Sequence, residues 1–291
     1  MSAATDITET AARFAKSIQA LPPLPATAQE ILTCFGDEFI DADKVAAVVN
    51  GDPGICAKLL GLANSAYFGL AEPVNDIGEA ISRVLGVDTV RSLVLAMAIQ
   101  QSFNSRECPE FDVVRFWMQS LMAAECCKKI ATADENADDA ERDLAYSAGL
   151  CHNLGLMALT HIEPARTNAV LKTHREHDRD DALADLFDQE FETDHKIVTA
   201  ELGRIWSLPA PMVTAYQFRA FPEAHCDDRL GLVVAAGVTA VENAERDEQQ
   251  CCSLSRWSNA LGIDEEEIQD MAILSDRQKE RVQSLASKMT R

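Results

Sequence analysis

The sequence predicts an all-α protein, and three observations lead to that prediction. Apolar residues recur at the three- and four-residue spacing of a helix face through most of the 291-residue chain. Residues that start or stop helices flank these segments. The sequence lacks alternating, β-branched runs bounded by turn signals. We therefore expect two packed helical bundles followed by additional C-terminal helices, around a substantial core.

The first bundle is predicted over residues 18–108, after an N-terminal helix over residues 1–17. Asp52-Pro53 is a good helix start, because proline is favoured in the first turn. Asp88 is a candidate N-cap for a long apolar helix. The apolar stripes after these two starts are Ile55, Leu59 and Ala63, and Val90, Leu93, Val94 and Met97.

A second helical bundle is predicted over residues 109–220, after the non-periodic stretch NSRECP. The sequence LPAP at residues 208–211 stops its last clear apolar stripe. Residues 221–291 are predicted to form C-terminal helices that pack on this bundle. The apolar stripes of the second bundle are Val113, Val114, Trp117, Met118, Leu121 and Met122, and Ile197, Val198, Leu202 and Ile205.

The charge balance disfavours two classes of partner. The net charge is −21 and the estimated pI is 4.6. An acidic surface gains nothing from counterion release on nucleic acid or anionic lipid, so we expect no nucleic-acid or membrane binding. The N-terminus lacks a basic region followed by an apolar run, and no segment reaches roughly 18 consecutive apolar residues. A cytoplasmic protein is expected.

The cysteines and the acidic runs carry little chemistry of their own. Nine cysteines, an odd number without a CxxC pair, argue against a disulfide framework or a zinc ribbon. We expect most to be small buried hydrophobes, with redox-sensitive adjacent pairs as a minor alternative. The acidic runs at residues 134–143 and 176–194 contain no glycine turn for a cation cage, which favours solvated loops or exposed helix faces.

An ordered set of motifs resembles one family. LPPLP at residues 21–25, DPG at 52–54, LANSAYFG at 62–69 and LG at 85–86 are followed by FWMQS, AGLCHNLG, DH and WSLP. This order resembles the HDOD family, a non-catalytic relative of the HD-domain phosphohydrolases of bacterial signalling proteins. The resemblance covers roughly residues 18–220. It implies a bacterial signal-transduction or regulatory domain that acts through contacts with a protein partner.

Most motif residues are expected to build the scaffold. Asn64 and Ser65 can bond backbone groups freed at a helix end, and Gly86 suits a sharp corner between helices. Tyr67 and Phe68 are expected to be core anchors rather than a ligand platform. The motif residues expected to be structural are Asp52, Pro53, Asn64, Ser65, Tyr67, Phe68, Gly86, Trp117, Gly149 and Gly155.

The resemblance implies a catalytic ancestor with an early histidine, an adjacent His-Asp pair and a later aspartate. Here Gln119 replaces the early histidine, and the pair is His152-Asn153. His195 matches a histidine that members often retain. Arg219 lies near the place of an expected double histidine and would repel a cation. We therefore expect no catalytic residue, no metal and no cofactor, since the charged ligands are gone.

His152 is expected to bond a carbonyl of a neighbouring helix, with Asn153 completing a polar network and His195 acting similarly at a helix start.

Three functions stay open. The first function is a non-catalytic regulatory domain. The second is a divergent metal-dependent phosphohydrolase that uses His152, His195 and acids from residues 176–194. The third is a small-ligand sensor in the vestigial pocket. No GxSxG, HExxH or Walker motif supports another enzyme class.

Overall fold

All regular structure in the described part of the chain is helical, which confirms the all-α prediction. The predicted N-terminal helix over residues 1–17 lies outside the described residues. Within the described residues, no single helix is long and apolar enough to span a membrane. The helices Ala42–Gly51 and Pro53–Ala63 together have the required length and apolar composition, but they are bent by 119° relative to each other. The computed structural model describes residues 23–35, 42–65, 67–176, 183–222, 228–246 and 251–290.

Among the described residues, the N-terminal bundle has five helices, and the fourth continues directly into a π-helical segment. Helix α1 packs on α5, and α2 packs on α1, α3, α4 and α5. The helices are α1 (Ala26–Leu32), α2 (Ala42–Gly51), α3 (Pro53–Ala63), α4 (Ile77–Glu79) with its π-helical continuation Ala80–Leu85, and α5 (Val87–Gln100).

The second group begins with the long helix α6, which packs along α7. Helix α7 also contacts α5 of the first bundle, and α11 packs against both α8 and α12. The helices are α6 (Val113–Ala133), α7 (Asp139–Leu150), α8 (Leu154–Ile162), α9 (Pro164–Glu176), α10 (Leu183–Phe191), α11 (His195–Ile205) and α12 (Ala210–Ala220).

The C-terminal helices close the structure around α6. Helix α13 packs against α6, α7 and α12, whereas the last helix, α16, contacts both α6 and α3. Lys58 donates to the Met289 carbonyl at 3.1 Å, and Lys288 donates to the Gly61 carbonyl at 2.8 Å. The predicted domain limits stay predictions. The helices are α13 (Arg229–Asn243), α14 (Ser255–Leu261), α15 (Glu265–Ala272) and α16 (Asp276–Thr290).

The start of α3 follows the predicted local chemistry. The Asp52 carboxylate accepts from the amides of Gly54 and Ile55 at 3.0 and 3.1 Å, and Pro53 is the first helical residue. The same carboxylate accepts from the Thr27 hydroxyl at 3.0 Å, which ties α3 to α1. One N-cap therefore both starts a helix and joins two helices.

The predicted N-cap at Asp88 is wrong. Helix α5 begins at Val87, and Gly86 occupies the preceding position with φ of 77°. The N-cap position is therefore two residues earlier than predicted, and its positive φ favours glycine. Asp88 lies in the first turn of α5 and pairs with Arg91 at 3.1 Å. The sharp corner predicted at Gly86 is present.

Four motif residues lie at the end of α3 and in the loop after it: Asn64, Ser65, Tyr67 and Phe68. Asn64 exchanges two hydrogen bonds of 2.8 Å with the main chain of Val74, as its expected role requires. Ser65 differs from expectation, because its buried hydroxyl has no hydrogen-bond partner in the described structure. Tyr67 and Phe68 form an edge-to-face pair with centroids 4.8 Å apart and pack on the core while partly exposed.

The first acidic run contains a buried ion pair, contrary to the solvated loop expected. Asp134, at the C-terminus of α6, is fully buried. Both its oxygens accept from the Arg229 guanidinium of α13, one of them at 2.6 Å. Farther along, Asp138 caps α7 in a capping box with Glu141. The run therefore fixes the ends of three helices rather than only facing solvent.

Replacing Asp134 with asparagine is expected to reduce the free energy of unfolding by about 1–3 kcal/mol, since the partly exposed Arg229 guanidinium loses its buried, charged hydrogen-bond acceptor. Urea unfolding followed by circular dichroism measures this. Asp139→Asn is the matched control, because the Asp139 side chain is fully exposed, and it should change stability little. Equal losses for the two variants would contradict a structural role for the pair.

Candidate functional site

His152 lies in the turn between α7 and α8 and is 6% exposed. Its Nδ1 is 2.7 Å from the Gly149 carbonyl oxygen. A carbonyl only accepts, so Nδ1 donates and the neutral ring keeps its free electron pair on Nε2. The expected bond to a carbonyl is present, but the carbonyl belongs to the last turn of α7, which precedes the histidine, and not to a neighbouring helix.

Arg219, in the last turn of α12, reaches this turn. Its Nη1 donates to the main-chain oxygen of His152 at 2.8 Å. Burial lowers the pKa of the guanidinium, and the carboxylates of Glu242 and Asp194 oppose that shift. Arginine stays protonated in proteins even so. A permanent positive charge therefore lies beside the His-Asn pair.

The electrostatics keep both histidines of the predicted site neutral. Burial lowers the pKa of His152 to about 3, with further contributions from the charge of Arg219 and from His195. Burial also lowers the pKa of His195 well below its usual value, helped by Lys196 and Arg219. A desolvated imidazole near a cation gains nothing from protonation. The charge of Arg219 thus opposes protonation of both rings.

His195 is the first residue of α11, after the N-cap Asp194. Its ring packs against Phe187 with centroids 5.5 Å apart. The helix is held close to α8, because the Thr199 hydroxyl accepts from the Gly155 amide at 2.9 Å and donates to the His195 carbonyl at 2.8 Å. A Cβ on Gly155 would lie 2.0 Å from that carbonyl oxygen. Glycine is required where the two backbones meet.

Asn153 does not complete the expected polar network. Its side chain makes no capping bond at the start of α8, and its buried Oδ1 has no hydrogen-bond partner in the described residues. The Nδ1 of His195 is likewise buried without a described partner. Two polar atoms of the predicted site are therefore left unsatisfied, a costly arrangement that native proteins usually avoid.

Gln119 is occupied elsewhere. From α6 its amide donates to the Glu245 carboxylate at 2.9 Å, and Arg115 donates to the same oxygen at 2.9 Å. Glu245 follows the end of α13. The Gln119 amide thus belongs to a polar contact between α6 and the segment after α13.

The residues of the site do not fit a divalent metal. Among the described residues, no group of three or more His, Cys, Asp or Glu side chains is placed to hold one. The carboxylate adjacent to His195 belongs to Asp194, which caps α11 by accepting from the amides of Lys196 and Ile197. Arg219 adds a positive charge where a cation would need negative ligands.

The sequence pointed to the two histidines and to the repulsive Arg219, but not to two glutamates that act on residues of the site, Glu242 and Glu245. Both glutamates follow the stretch of residues 232–241, which contains no acid at the place where a late aspartate is expected. Residues three or four apart lie on the same helix face. Glu242, one residue beyond this stretch, was therefore the available signal for an acid near the site. Glu242 acts on Arg219, and Glu245 on Arg115 and Gln119.

Comparison with known families decides the assignment. The family model described as HDOD domain matches residues 21–222, which is more than half of the chain. The chain belongs to the HDOD domain family. A curated relative, an uncharacterized protein of Treponema pallidum (strain Nichols), is 26% identical over 219 residues. That match covers 74% of this HDOD protein but spans only 40% of the length of the relative.

Solved structures share the fold. An HDOD domain protein of unknown function from Geobacter sulfurreducens superposes with a TM-score of 0.75 at 20% identity, covering 98% of each chain. A candidate signal transduction protein from Marinobacter aquaeolei VT8 gives 0.82 at 21% identity, with 98% of this chain and 67% of that one covered. A candidate phosphohydrolase from Shewanella amazonensis SB2B superposes with a TM-score of 0.72 at 21% identity, covering 94% of this chain and 97% of that one.

The contact between α8 and α11 is testable with two helical glycines. Gly155→Ala is expected to lower the free energy of unfolding by more than about 2 kcal/mol, because the new methyl group forces the backbones apart. Gly61→Ala is the control: no atom lies within 4 Å of its Cβ position. It should stabilise α3 by about 0.5–1 kcal/mol. Chemical denaturation measures both, and a neutral Gly155→Ala would contradict the close approach.

The neutral histidines predict a pH dependence. Folded His152 takes up a proton only near pH 3, whereas an unfolded histidine does so near 6.5. The unfolded chain binds more protons between these two pH values. The contribution of neutral His152 to the free energy of unfolding is therefore complete above about pH 6.5 and is lost as the pH falls. Between pH 6.5 and pH 5 the free energy of unfolding should decrease by about 2 kcal/mol through His152.

Urea unfolding of wild type and of His152→Gln at several pH values isolates this contribution. The variant should lose less stability than wild type between pH 6.5 and 5. His161→Gln, which removes a partly exposed histidine, should keep the wild-type slope. A His152→Gln profile parallel to that of wild type would contradict a buried neutral imidazole.

Proposed function

We propose that this HDOD protein is a non-catalytic regulatory domain. We call the group formed by His152, Asn153, His195 and Arg219 the HD-like centre, and we propose that its role is structural. The observation that carries the proposal is the position of Arg219, which donates to His152 and acts electrostatically on both histidines. A guanidinium there supplies a fixed positive charge and five donors. It does so without the exchangeable water that a catalytic metal would activate.

The remaining groups support the same conclusion by their chemistry. His152 uses its Nδ1 on the Gly149 carbonyl, and Asn153 offers a neutral amide in place of a carboxylate. Neutral imidazoles with strongly lowered pKa values do not act as general acids near neutral pH. A phosphohydrolase would need a charged ligand set and an acid for the leaving group, and the described residues of this site provide neither.

A regulatory domain of this kind acts through protein contacts. With a net charge of −21 the chain favours a partner that presents a basic face. Exposed acids such as Glu265 and Glu266 in the first turn of α15 contribute to that field. Association with such a partner is expected to slow as ionic strength rises, because long-range steering is screened.

Metal content and phosphoesterase activity test the proposal together. Untagged full chain purified without chelator should carry less than about 0.1 Mn, Fe, Ni, Zn or Mg per chain by elemental mass spectrometry, since the site lacks the charged ligand set these ions need. With added Mn²⁺ it should hydrolyse p-nitrophenyl phosphate and bis-p-nitrophenyl phosphate no faster than buffer. His152→Ala should reduce stability and leave this background unchanged.

One or two metal ions per chain, with an activity that a folded His152→Ala protein loses, would overturn the proposal in favour of a divergent phosphohydrolase. Lys172→Ala is a suitable control for nonspecific loss, because this exposed lysine lies on α9 in a surface pair with Glu176.

A further inference from the structure

A cleft outside the HD-like centre lies where the three parts of the chain meet. It has a volume of about 260 Å³. Tyr67 comes from the loop after α3, Met122 and Glu125 from α6, Met271 from α15 and Arg281 from α16. We call it the Tyr67 cleft. This volume suits a small molecule rather than a drug-sized ligand or a peptide.

Glu125 brings an unused acceptor to the Tyr67 cleft. Its side chain is partly buried, and this burial raises the pKa of the carboxyl group, while nearby Lys128 and Lys129 oppose the shift. No hydrogen bond or ion pair joins it to another described residue. Partial burial of a carboxylate without a direct hydrogen-bond donor is costly. Lys128 and Lys129 act on Glu125 only at longer range, so its oxygens stay available to a donor in the cleft.

Arg281 brings an unused donor set to the same cleft. No carboxylate of the described chain lies within ion-pair distance of its guanidinium, Glu125 included. The other cation of the cleft, Lys129, donates to the Met271 carbonyl at 2.9 Å. Arg281 and Glu125 both act on the Tyr67 hydroxyl, the acid raising and the arginine lowering its pKa, which burial brings to about 12. The two charges thus flank Tyr67 without meeting.

Apolar side chains line part of the Tyr67 cleft, beside the polar Lys129 and Gln278. Met122, Met271, Leu274 and Val282 line it, and methionine side chains adapt to ligands of irregular shape. A ligand that fits must carry a cation for Glu125, an anion for Arg281 and a short hydrocarbon part. Guanidinium groups bind carboxylates in a bidentate manner, which favours a carboxylate as the anion.

We propose that the Tyr67 cleft binds a small aliphatic zwitterion, of the class of an apolar α-amino acid, with its ammonium group on Glu125 and its carboxylate on Arg281. Such a ligand would contact the N-terminal bundle, α6 and the C-terminal helices at once. It would therefore stabilise their mutual packing, as any ligand of the folded state does. The proposal goes beyond the regulatory function and does not depend on the HD-like centre.

Isothermal titration calorimetry on the full chain tests the site with L-leucine as the probe. Two analogues each lack one charge: 4-methylpentanoate has no ammonium group, and 3-methylbutylamine has no carboxylate. L-leucine should bind with one site per chain. Each analogue should bind about ten- to a hundredfold more weakly, the usual effect of losing a charged hydrogen bond.

Variants locate the site. Glu125→Gln should abolish the preference for leucine over 4-methylpentanoate, and Arg281→Gln should abolish the preference over 3-methylbutylamine. Both should fold, since Glu125 has no partner to lose and Arg281 is partly exposed. The matched controls Glu267→Gln and Arg277→Gln, exposed on α15 and α16, should bind like wild type.

Three results would overturn the proposal. The first is no binding of leucine, isoleucine or methionine at about 10 mM, a limit weaker than almost any specific site. The second is equal affinity for leucine and both analogues. The third is leucine binding that survives unchanged in Glu125→Gln and Arg281→Gln. None of these results would alter the metal content or the phosphoesterase background, so failure here is distinguishable from failure of the regulatory function.

Discussion

The arrangement of the HD-like centre depends on one contact, the hydrogen bond from the Arg219 guanidinium to the main-chain oxygen of His152. It joins the last turn of α12 to the turn between α7 and α8. The charge of Arg219 also keeps His152 and His195 neutral, in addition to their burial. A group that links helices and sets the protonation of its neighbours does structurally what a bound cation does in a metal centre.

Close helix packing makes this contact possible. Gly155 lets α8 approach the start of α11, and Gly149 lets α7 approach α6, where a Cβ would lie 2.8 Å from the Cα of Ala124. These glycines fall on either side of His152, so the histidine is fixed between two tight interfaces.

Local features could be predicted from the sequence, and distant pairings could not. The Asp52 cap and the Gly86 corner depend on residues within three positions of each other, so composition and order were enough. Asp134 pairs with Arg229, 95 residues away, and only packing brings them together. The partner of His152 was expected on another helix but lies three residues back. Asp88 is not the N-cap of α5, because the helix begins at Val87 and Gly86 occupies the N-cap position with a positive φ.

The central claim is that a guanidinium and two neutral imidazoles occupy the HD-like centre in place of a metal site. Long-range ¹H–¹⁵N NMR of the histidine rings, with and without one equivalent of Zn²⁺, tests it most directly. The account predicts a neutral His152 ring protonated on Nδ1 at both pH 7 and pH 5, because its pKa is about 3. It also predicts that Zn²⁺ leaves the His152 and His195 signals unchanged. An imidazolium at pH 5, or a Zn²⁺-induced shift of the unprotonated nitrogens, would contradict it.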